Sequence, residues 1–452
     1  MKIRGRRSSQ KWKKYLRILI IAVGTRGDVQ PLVALARTLL VKGHSVQLAS
    51  LSTFASLCES NGVNFIPLRG DLESEMKNAA GAELGSAGRN PFSATAAFKN
   101  IIEQNIVDWT RTIRAAAAQC DVIVAAGTAV FFSLGLARAF QIPLVQVYLQ
   151  PVLPSAQAGS PLLPQLPFRL PGFMNSAQYA IAAQLLWQVL RPAIARSEAE
   201  LSGNASVPLL VPFKSMLHAR QTILLAYSRH LVPQSGQPPN VLNTGFWQLD
   251  RSPAWKPTPD LARFLGAGPP PIYVGFGSMP IRQPRQVAHA ILAAVRSLGA
   301  RAILDAGWST MEPSDLRDDA IVIKNVPHDW LFEHVAAVVH HGGAGTTAAA
   351  LRAGRPSVMV PFILDQFFWA ERLHALHVAP PALPFDRLGE RRLAAALKQV
   401  MGDSKLRENA KRLGQQVRSE GGVALAAERI ERVVPSTIRP SAAQPASVAS
   451  VS

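Results

Sequence analysis

The chain has 452 residues, 48% of them apolar, and a formal net charge of +19. Its length predicts two or three domains, and its apolar content is ample for large hydrophobic cores. The positive charge favours anionic partners: nucleic acid, acidic lipid headgroups or phosphorylated ligands. The sequence contains no RNA-binding or zinc-finger pattern, so we expect no nucleic-acid partner. The two cysteines, Cys58 and Cys120, lie in different segments, which argues against a disulfide framework and favours reduced cytosolic thiols.

Residues 1–15 form a basic leader that we predict to be disordered. Residues 1–17 contain eight Lys or Arg and no acidic residue. The apolar run Leu19–Val23 is too short for a signal peptide and leads into a Gly-Thr-Arg-Gly-Asp turn, which predicts a first strand. No apolar stretch approaches the ~20 residues of a membrane-spanning helix. We therefore expect a cytoplasmic protein. Whether the leader contacts an anionic membrane or is a solvated tail stays open.

Residues 16–232 alternate short apolar runs with amphipathic stretches. This alternation predicts a domain with a doubly wound parallel sheet, in which residues 70–92 and 150–173 are loops. The predicted strands are Arg17–Val23, Ser45–Ser50, Val63–Pro67, Asp121–Ala125 and Pro143–Val147, and the predicted helices are Val29–Val41, Thr53–Ser60, Phe92–Gln119, Val130–Phe140 and Ala177–Ser197.

A Pro-rich stretch at residues 233–259 is predicted to link this domain to a second one at residues 260–434, where the alternation restarts. Residues 435–452 are rich in Ser, Ala and Pro and are predicted to be disordered. The predicted strands of the second domain are Pro271–Gly277, Arg301–Asp305, Ala320–Lys324, Val335–Val339 and Val358–Gln366, and its helices are Gln286–Leu298, Ala344–Leu351, Arg391–Met401, Ser404–Ser419 and Val423–Val433.

The segment from Lys324 to Arg372 carries the clearest functional signal. The buried strand Val335–Val339 runs into His-His-Gly-Gly and then into a helix at Ala344. Glycines let a ligand approach the backbone, and a helix N-terminus presents unpaired N–H groups to an anion, most often a phosphate. The next strand delivers Asp365 and Gln366 to the same edge, where a carboxylate and an amide suit sugar hydroxyls. The pattern predicts a nucleotide-sugar pocket, with a plain turn as the alternative for the glycines alone.

These motifs resemble one known family. The runs V-P-H-D-W-L-F, H-H-G-G-A-G-T-T and P-F-I-L-D-Q, with G-T-R-G-D-V-Q-P-L-V-A-L-A near the N-terminus, resemble family-one glycosyltransferases. Among these the chain is most similar to the sterol glucosyltransferases and their bacterial relatives. The resemblance implies an α/β fold of two Rossmann-like domains facing across a cleft (GT-B architecture), the first for the acceptor and the second for the nucleotide sugar. It also implies that the last helix returns to the first domain.

The resemblance also implies a donor site for a UDP-hexose, with glucose as the expected sugar. Val326 would hold the uracil through its backbone, and Asp365 and Gln366 would bind the sugar. We expect no metal or other cofactor, because preorganised N–H and O–H donors can stabilise the leaving diphosphate. Whether Trp308 or Trp330 stacks on the uracil or only packs in the domain stays open. The predicted donor-binding residues are Ser278, Val326, His341, Gly343, Ala344, Gly345, Thr346, Asp365 and Gln366.

Asp28 is the predicted catalytic base. It follows the first strand and precedes a helix, where it would face the cleft, and a base must reach the acceptor hydroxyl within about 2.6–3.2 Å. The family commonly has His at this position, whereas the sterol and bacterial antibiotic branches resemble this chain in having Asp. A helix N-cap is the alternative role, and the two roles are compatible. The resemblance further implies inversion, which gives a β-linked product from an α-linked donor.

The apolar, Pro-rich loop at residues 150–173 resembles the acceptor-side loop of the sterol glucosyltransferases. An acceptor pocket lined by Phe131, Leu153 and Phe168 would suit a lipid, with core packing as the alternative for each side chain. We therefore expect hexose transfer to a hydrophobic hydroxylated acceptor, a sterol or related lipid. A polyketide, macrolide or flavonoid acceptor is the second alternative, and a non-catalytic lipid- or nucleotide-binding protein is the third.

Overall fold

The computed structural model describes residues 15–72, 74–75, 91–155, 159–163, 170–212, 216, 221–233, 237–277, 279, 281, 283–307, 316–363 and 365–434, with the backbone alone at 91–97. Several predictions fall outside these ranges. They concern nearly all of the basic leader, the tail from residue 435, and the side chains of Ser278, Trp308 and Phe168.

The first domain is built on a parallel sheet of seven strands in the order β3-β2-β1-β4-β5-β6-β7. Strand β1, with the sequence RILIIA, is buried from its second residue onward. Its Leu19 and Ile21 belong to one hydrophobic cluster and its Ile18 and Ile20 to another, because successive side chains of a strand point to opposite faces. The doubly wound sheet is thus confirmed. Its strands are β1 Arg17–Ala22, β2 Ser45–Leu51, β3 Asn64–Leu68, β4 Val122–Ala126, β5 Leu144–Tyr148, β6 Thr222–Leu225 and β7 Val241–Asn243.

The helices of the first domain follow the predicted order with shifted ends. The first helix begins at Arg26 rather than at Val29, because the backbone of Thr25 is extended and the next residues already turn. The helices are α1 Arg26–Val41, α2 Ala55–Glu59, α3 Pro91–Gln119, α4 Ala129–Ala139 and α5 Gly172–Ser202, with a short 3-10 turn at Ser52–Phe54.

The second domain has a parallel sheet of five strands in the order β10-β9-β8-β11-β12. Its strands are β8 Ile272–Gly275, β9 Ala302–Asp305, β10 Ala320–Ile323, β11 Ala337–His340 and β12 Ser357–Met359. Its helices are α6 Pro259–Gly266, α7 Pro284–Arg296, α8 His328–Leu331, α9 Ala344–Arg352, α10 Asp365–Ala375, α11 Glu390–Gly402 and α12 Ser404–Arg418, with 3-10 turns at Phe332–His334 and Phe385–Arg387.

Two predicted segments are wrong in part. The stretch predicted as a linker, residues 233–259, contains β7, which pairs in parallel with β6 and so belongs to the first sheet. The strand predicted at Val358–Gln366 ends at Met359, and Asp365 is already the first residue of α10. Pro361 lacks the N–H that a longer strand would need to continue its ladder of hydrogen bonds.

The last helix, α13 Gly422–Glu431, packs on the first domain. Ala426, Ala427 and Ile430 are fully buried in the cluster that contains the core of β1 and α1. Burying a side chain such as Ile430 stabilises the fold by about 1.5–3 kcal/mol. At the end of the helix, Glu431 accepts hydrogen bonds from Lys42 at 3.0 Å and lies 3.0 Å from His44 Nε2. The last described helix therefore packs on the domain that contains β1.

The chain passes between the domains twice, at residues 244–258 and again between Ser419 and Gly422. These two crossings touch, because the Gly422 N–H donates to the Thr244 carbonyl oxygen over 2.7 Å. Glu420 Oε1 also accepts from Ser228 Oγ and from the Arg229 N–H, both at 3.0 Å. The two crossings are thus joined to each other and to the end of the first sheet.

A search of the described helices for one long and apolar enough to cross a membrane finds none.

Candidate active site

Asp28 lies inside the first turn of α1. Its Oδ2 accepts hydrogen bonds from the Thr25 N–H at 2.8 Å and from Thr25 Oγ1 at 2.9 Å. Thr25 is therefore the N-cap, and Asp28 stands three positions later, as the acidic partner of a capping box. The sequence allowed Asp28 to be the N-cap residue, but in the structure Thr25 takes that position. Among the described residues none donates to Oδ1, so that oxygen can accept a proton from a ligand.

Gly24 makes room for this carboxyl group. A Cβ atom added at Gly24 would lie 2.7 Å from Asp28 Cγ and closer still to Oδ2. Burial raises the pKa of Asp28 above its usual value, and the two bonds from Thr25 oppose that rise. A carboxylate with a raised pKa is a better base than an exposed one, which favours proton abstraction.

Asp365 approaches the first domain from the second. Its Oδ2 accepts from Gln150 Nε2 at 3.3 Å and from Trp369 Nε1 at 3.2 Å. Burial, followed by the negative charge of Asp28, raises the pKa of Asp365 to about 6. The two carboxyls are thus close enough to interact between the domains. Sequence reasoning selected both aspartates but missed Gln150, although its position just beyond β5, at the carboxyl edge of the sheet, could have indicated it.

His341 follows β11, and its ring lies against two glycines. A Cβ added at Gly277 would lie 3.1 Å from the ring's Cε1, and one added at Gly343 would lie 2.5 Å from Nε2. Burial, followed by the neighbouring His328, lowers the pKa of His341 to about 4. The ring is therefore neutral at pH 7. Its buried Nδ1 has no hydrogen-bond partner among the described residues.

The N-terminus of α9 lies directly after this histidine. Gly343 is its N-cap residue, and Ala344, Gly345 and Thr346 form its first turn, which contains no acidic side chain. The N–H groups of a first turn have no partner within the helix and attract anions such as phosphate. The predicted order of strand, glycine turn and helix is therefore present, and phosphate binding there stays a prediction.

Gln366 is already engaged in holding a loop. Its Oε1 accepts from the N–H groups of Phe362 at 2.8 Å and Ile363 at 3.2 Å, and its Nε2 lies 3.4 Å from Met279 Sδ. The side chain is 5% exposed, so any contact with a sugar would have to come from the amide nitrogen. Its role as a sugar ligand stays a prediction.

Val326 is half-buried and follows Asn325, whose φ is +56°. It packs against the cluster that contains Tyr273 and Phe332. Trp330 packs against Trp255, with ring centroids 5.0 Å apart. The structure therefore gives Trp330 a packing contact, and the uracil contact of Val326 stays a prediction.

A buried polar network that the sequence did not reveal lies beside this donor region. Tyr273 Oη donates to Asp305 Oδ2 at 2.9 Å and lies 3.1 Å from His328 Nε2. Burial lowers the pKa of His328 to about 4, against the opposing charge of Asp305. Asp305 is the last residue of β9. A carboxylate at the end of a strand was therefore the feature of the sequence that could have indicated this network. In the described part of the chain, no group of three or more His, Cys, Asp or Glu is arranged to hold a metal ion.

Two of the predicted acceptor residues lie in one hydrophobic cluster. Phe131 and Leu153 are each 7% exposed, and the ring of Phe131 lies 5.8 Å from that of Trp187. The structure thus brings α4, the loop after β5 and helix α5 together on apolar side chains. Contact of these residues with an acceptor stays a prediction.

Comparison with known proteins agrees with this architecture. Residues 18–144 match the glycosyltransferase family 28 N-terminal domain, and residues 290–432 match the C-terminal domain of erythromycin biosynthesis protein CIII-like proteins. Sterol 3-beta-glucosyltransferase UGT80A2 of Arabidopsis thaliana is 33% identical, with 93% of this chain and 66% of the relative aligned. UDP-sugar-dependent glycosyltransferase 52 of Dictyostelium discoideum is 28% identical, over 94% of this chain and 27% of its own length. The chain thus spans only part of these relatives.

Solved structures give the same fold. The glycotransferase of kitacinnamycin superposes with a TM-score of 0.68 at 20% identity, over 94% of this chain and 100% of that one. The two facing parallel sheets, the returning last helix and the two matched domains all agree with the family predicted from the sequence. The chain therefore has the GT-B fold, matches the glycosyltransferase family 28 N-terminal domain over residues 18–144, and is similar to the sterol 3-beta-glucosyltransferases.

Proposed function

We propose that the protein transfers a hexose, with glucose as the first candidate, from a UDP-sugar to a hydroxyl of a sterol or related lipid, with inversion. One observation carries this proposal. Asp28 in the first domain lies close enough to Asp365 in the second for its negative charge to raise the pKa of Asp365. Asp28 stands in the first turn of α1, and Gln366, the residue after Asp365, lies against Gly342 just before α9. Similarity to a sterol 3-beta-glucosyltransferase and to a UDP-sugar-dependent enzyme supports the choice of acceptor and donor.

In the proposed reaction the acceptor oxygen forms a bond to the anomeric carbon of the sugar while the bond from that carbon to the diphosphate breaks. Asp28 takes the proton of the acceptor hydroxyl on its unoccupied Oδ1. The electron pair of the breaking bond leaves with the diphosphate. The neutral His341 ring and the first-turn N–H groups of α9 would stabilise the charge that develops there. Asp365 would orient the sugar by accepting from its hydroxyls.

These donors are all supplied by the protein, so we expect turnover without a metal ion. Activity measured in excess EDTA should equal activity without the chelator. A loss that added Mg²⁺ or Mn²⁺ restores would contradict this expectation and would require a metal-bound diphosphate.

A natural-product acceptor is the second candidate. The match of residues 290–432 to an erythromycin-biosynthesis domain favours it, because that domain belongs to a protein of macrolide biosynthesis. The predicted acceptor residues Phe131 and Leu153 are apolar and would suit either a sterol or a polyketide. Only turnover with separate acceptors distinguishes the two.

The test is turnover of purified protein with UDP-glucose, followed by mass spectrometry, with a sterol in one arm and macrolide and polyphenol aglycones in another. Asp28→Asn should lower kcat by about 10²–10⁴-fold while UDP binding persists, since general-base catalysis contributes that much. Asp260→Asn is the matched control: Asp260 also lies in the first turn of a helix, but at an exposed site on α6. If Asp28→Asn turns over at the wild-type rate, Asp28 is not the base. UDP binding without any glucosylated product would favour a non-catalytic protein.

A further inference from the structure

An uncharged surface lies on helix α5 and the segment that follows it. Residues 170–190 contain no charged residue, and neither do residues 201–212, although 17% of the whole chain is charged. Surface segments of this length ordinarily carry several charges. Much of this stretch is nevertheless at the molecular surface.

Six large apolar side chains in this region are exposed. Two of them, Phe173 and Met174, lie at the start of α5, and the other four form a separate group. Ile181 and Leu185, one helical turn apart on α5, are 54% and 55% exposed. Leu209 and Leu210, in the following segment, are 64% and 68% exposed. We name these four residues the α5 apolar surface. Single exposed leucines are ordinary, but a contiguous group of them marks an interaction site.

Hydrogen bonds hold the leucine pair in this exposed position. The Leu209 carbonyl oxygen accepts from Gln184 Nε2 at 3.2 Å and from Gln188 Nε2 at 2.6 Å. Gln184 Oε1 accepts in turn from the Val211 N–H at 2.9 Å. The backbone is thus fixed to α5 while the two leucine side chains point into solvent. Because positions 181, 184, 185 and 188 share one helix face, the segment lies beside Ile181 and Leu185.

One buried side chain links the α5 apolar surface to Phe131, a predicted acceptor residue. Trp187, on the buried face of the same helical turn, donates from Nε1 to the Pro208 carbonyl oxygen at 3.1 Å. The other side of this indole lies against Phe131, at 5.8 Å between ring centroids. A single buried residue therefore connects the exposed segment to the predicted acceptor wall.

We propose that the α5 apolar surface docks on the interface of an anionic lipid bilayer. Leu209 and Leu210 would insert between lipid headgroups, where apolar side chains leave water without needing a shaped protein partner. The absence of charge on 170–190 and 201–212 removes the cost of bringing an ion into that region. The net charge of +19 attracts the molecule as a whole to acidic headgroups. Whether the surface docks on a bilayer does not depend on which acceptor the protein uses. That docking helps the protein take a lipid acceptor from the bilayer rests on the proposed function.

The experiment is co-sedimentation of the full chain with phosphatidylcholine vesicles, with and without phosphatidylserine. Wild-type protein should sediment with the anionic vesicles and retain part of its binding at high salt, because salt screens charge but not apolar insertion. Leu209→Ser with Leu210→Ser should weaken the partition by at least about tenfold, since two exposed leucines lose their lipid contact. Ile181→Ser with Leu185→Ser is an independent second variant. The matched control is Val41→Ser with Met401→Ser, which removes two exposed apolar side chains elsewhere.

Circular dichroism and UDP binding establish that each variant is folded. Loss of vesicle binding in both α5 variants, with the control unchanged, supports the docking surface. Two results overturn it: no vesicle binding by wild-type protein, or equal vesicle binding by the Leu209/Leu210 variant, in particular when that variant dissolves a wild-type dimer. Loss of such a dimer would show that the surface binds a second copy of the chain. None of these readouts uses turnover, so a wrong acceptor would not be mistaken for a wrong surface.

Discussion

Gln150, just beyond strand β5 of the first domain, donates its side-chain N–H to Asp365 Oδ2, in the second domain, over 3.3 Å. This bond and the one from Trp369 lower the pKa of Asp365, whereas burial and the charge of Asp28 raise it, and the result is a pKa of about 6. The protonation of the predicted sugar ligand thus depends on residues from both domains. Changes to either side should move it in predictable directions.

Replacing Gln150 should raise the pKa of Asp365. In Gln150→Ala the hydrogen bond that favours the ionised carboxylate is lost, so the group takes up its proton at a higher pH. A protonated carboxyl accepts fewer hydrogen bonds, so affinity for UDP-glucose should fall as the pH drops through this value. Calorimetric titrations over a pH series that spans about 6 would show this fall moving to higher pH. UDP alone, which lacks the sugar, is the control ligand and should show no such movement.

Asp28→Asn should move the same transition the other way. The variant removes a negative charge that raises the pKa of Asp365, so the fall in UDP-glucose affinity should move to lower pH. Shifts in the same direction for Gln150→Ala and Asp28→Asn would mean that a group other than Asp365 governs the transition.

The ionised Asp365 side chain should lower the free energy of unfolding at neutral pH. Its folded pKa of about 6 lies above the usual 3.8, so its stabilising contribution is complete below pH 3.8 and is lost as the pH rises through about 6. Asp365→Asn avoids ionisation and should be more stable than wild type by roughly 1–3 kcal/mol above that range, with the advantage shrinking in acid. Urea unfolding at two pH values on either side of the transition measures this. An advantage of the same size at both would point to packing rather than to ionisation.

Gly24 should be needed for the position of Asp28. In Gly24→Ala the new Cβ would lie 2.7 Å from Asp28 Cγ, so the carboxyl must move. A displacement of this size should lower kcat/KM by about 10²-fold, while UDP binding in the other domain persists. Gly27→Ala is the matched control, because its Cβ would come no nearer than 3.6 Å, to Thr25 Oγ1. Steady-state kinetics compare the two variants, and equal losses would show that helix α1 tolerates no side chain there at all.

Gly343 should be needed for the position of His341. A Cβ at Gly343 would lie 2.5 Å from His341 Nε2, whereas a Cβ at Gly345 meets nothing within 4 Å. Gly343→Ala should therefore weaken UDP binding by about tenfold or more, the loss expected when a hydrogen bond to a charged group is broken. Gly345→Ala keeps the N–H at the start of α9 and should bind UDP as wild type does, with folding stability raised by about 0.5–1 kcal/mol. If Gly345→Ala weakens UDP binding as much as Gly343→Ala, the helix terminus rather than the ring is being disturbed.

The sequence predicts the two parallel sheets well because buried parallel strands are nearly continuous apolar runs, such as RILIIA in β1. Strands β6 and β7, of four and three residues, were missed because their pairing depends on neighbours that fold elsewhere in the chain. Asp365 was predicted at the end of a strand Val358–Gln366, but that strand ends at Met359 and the start of α10 supplies the residue. Its bond to Gln150 joins residues 215 positions apart, which no local pattern can reveal.

The contact between the two chain crossings limits how the domains can move and be exchanged. Since the Gly422 N–H is bonded to the Thr244 carbonyl oxygen at 2.7 Å, the connections act as one double-stranded hinge instead of two separate tethers. We expect such a hinge to favour closure of the two domains over rotation of one against the other. A chimaera in which the first domain is replaced must also replace α13, because Ala426, Ala427 and Ile430 complete the hydrophobic core of the first domain. Cutting between the domains at a single point would leave each product with an exposed apolar face.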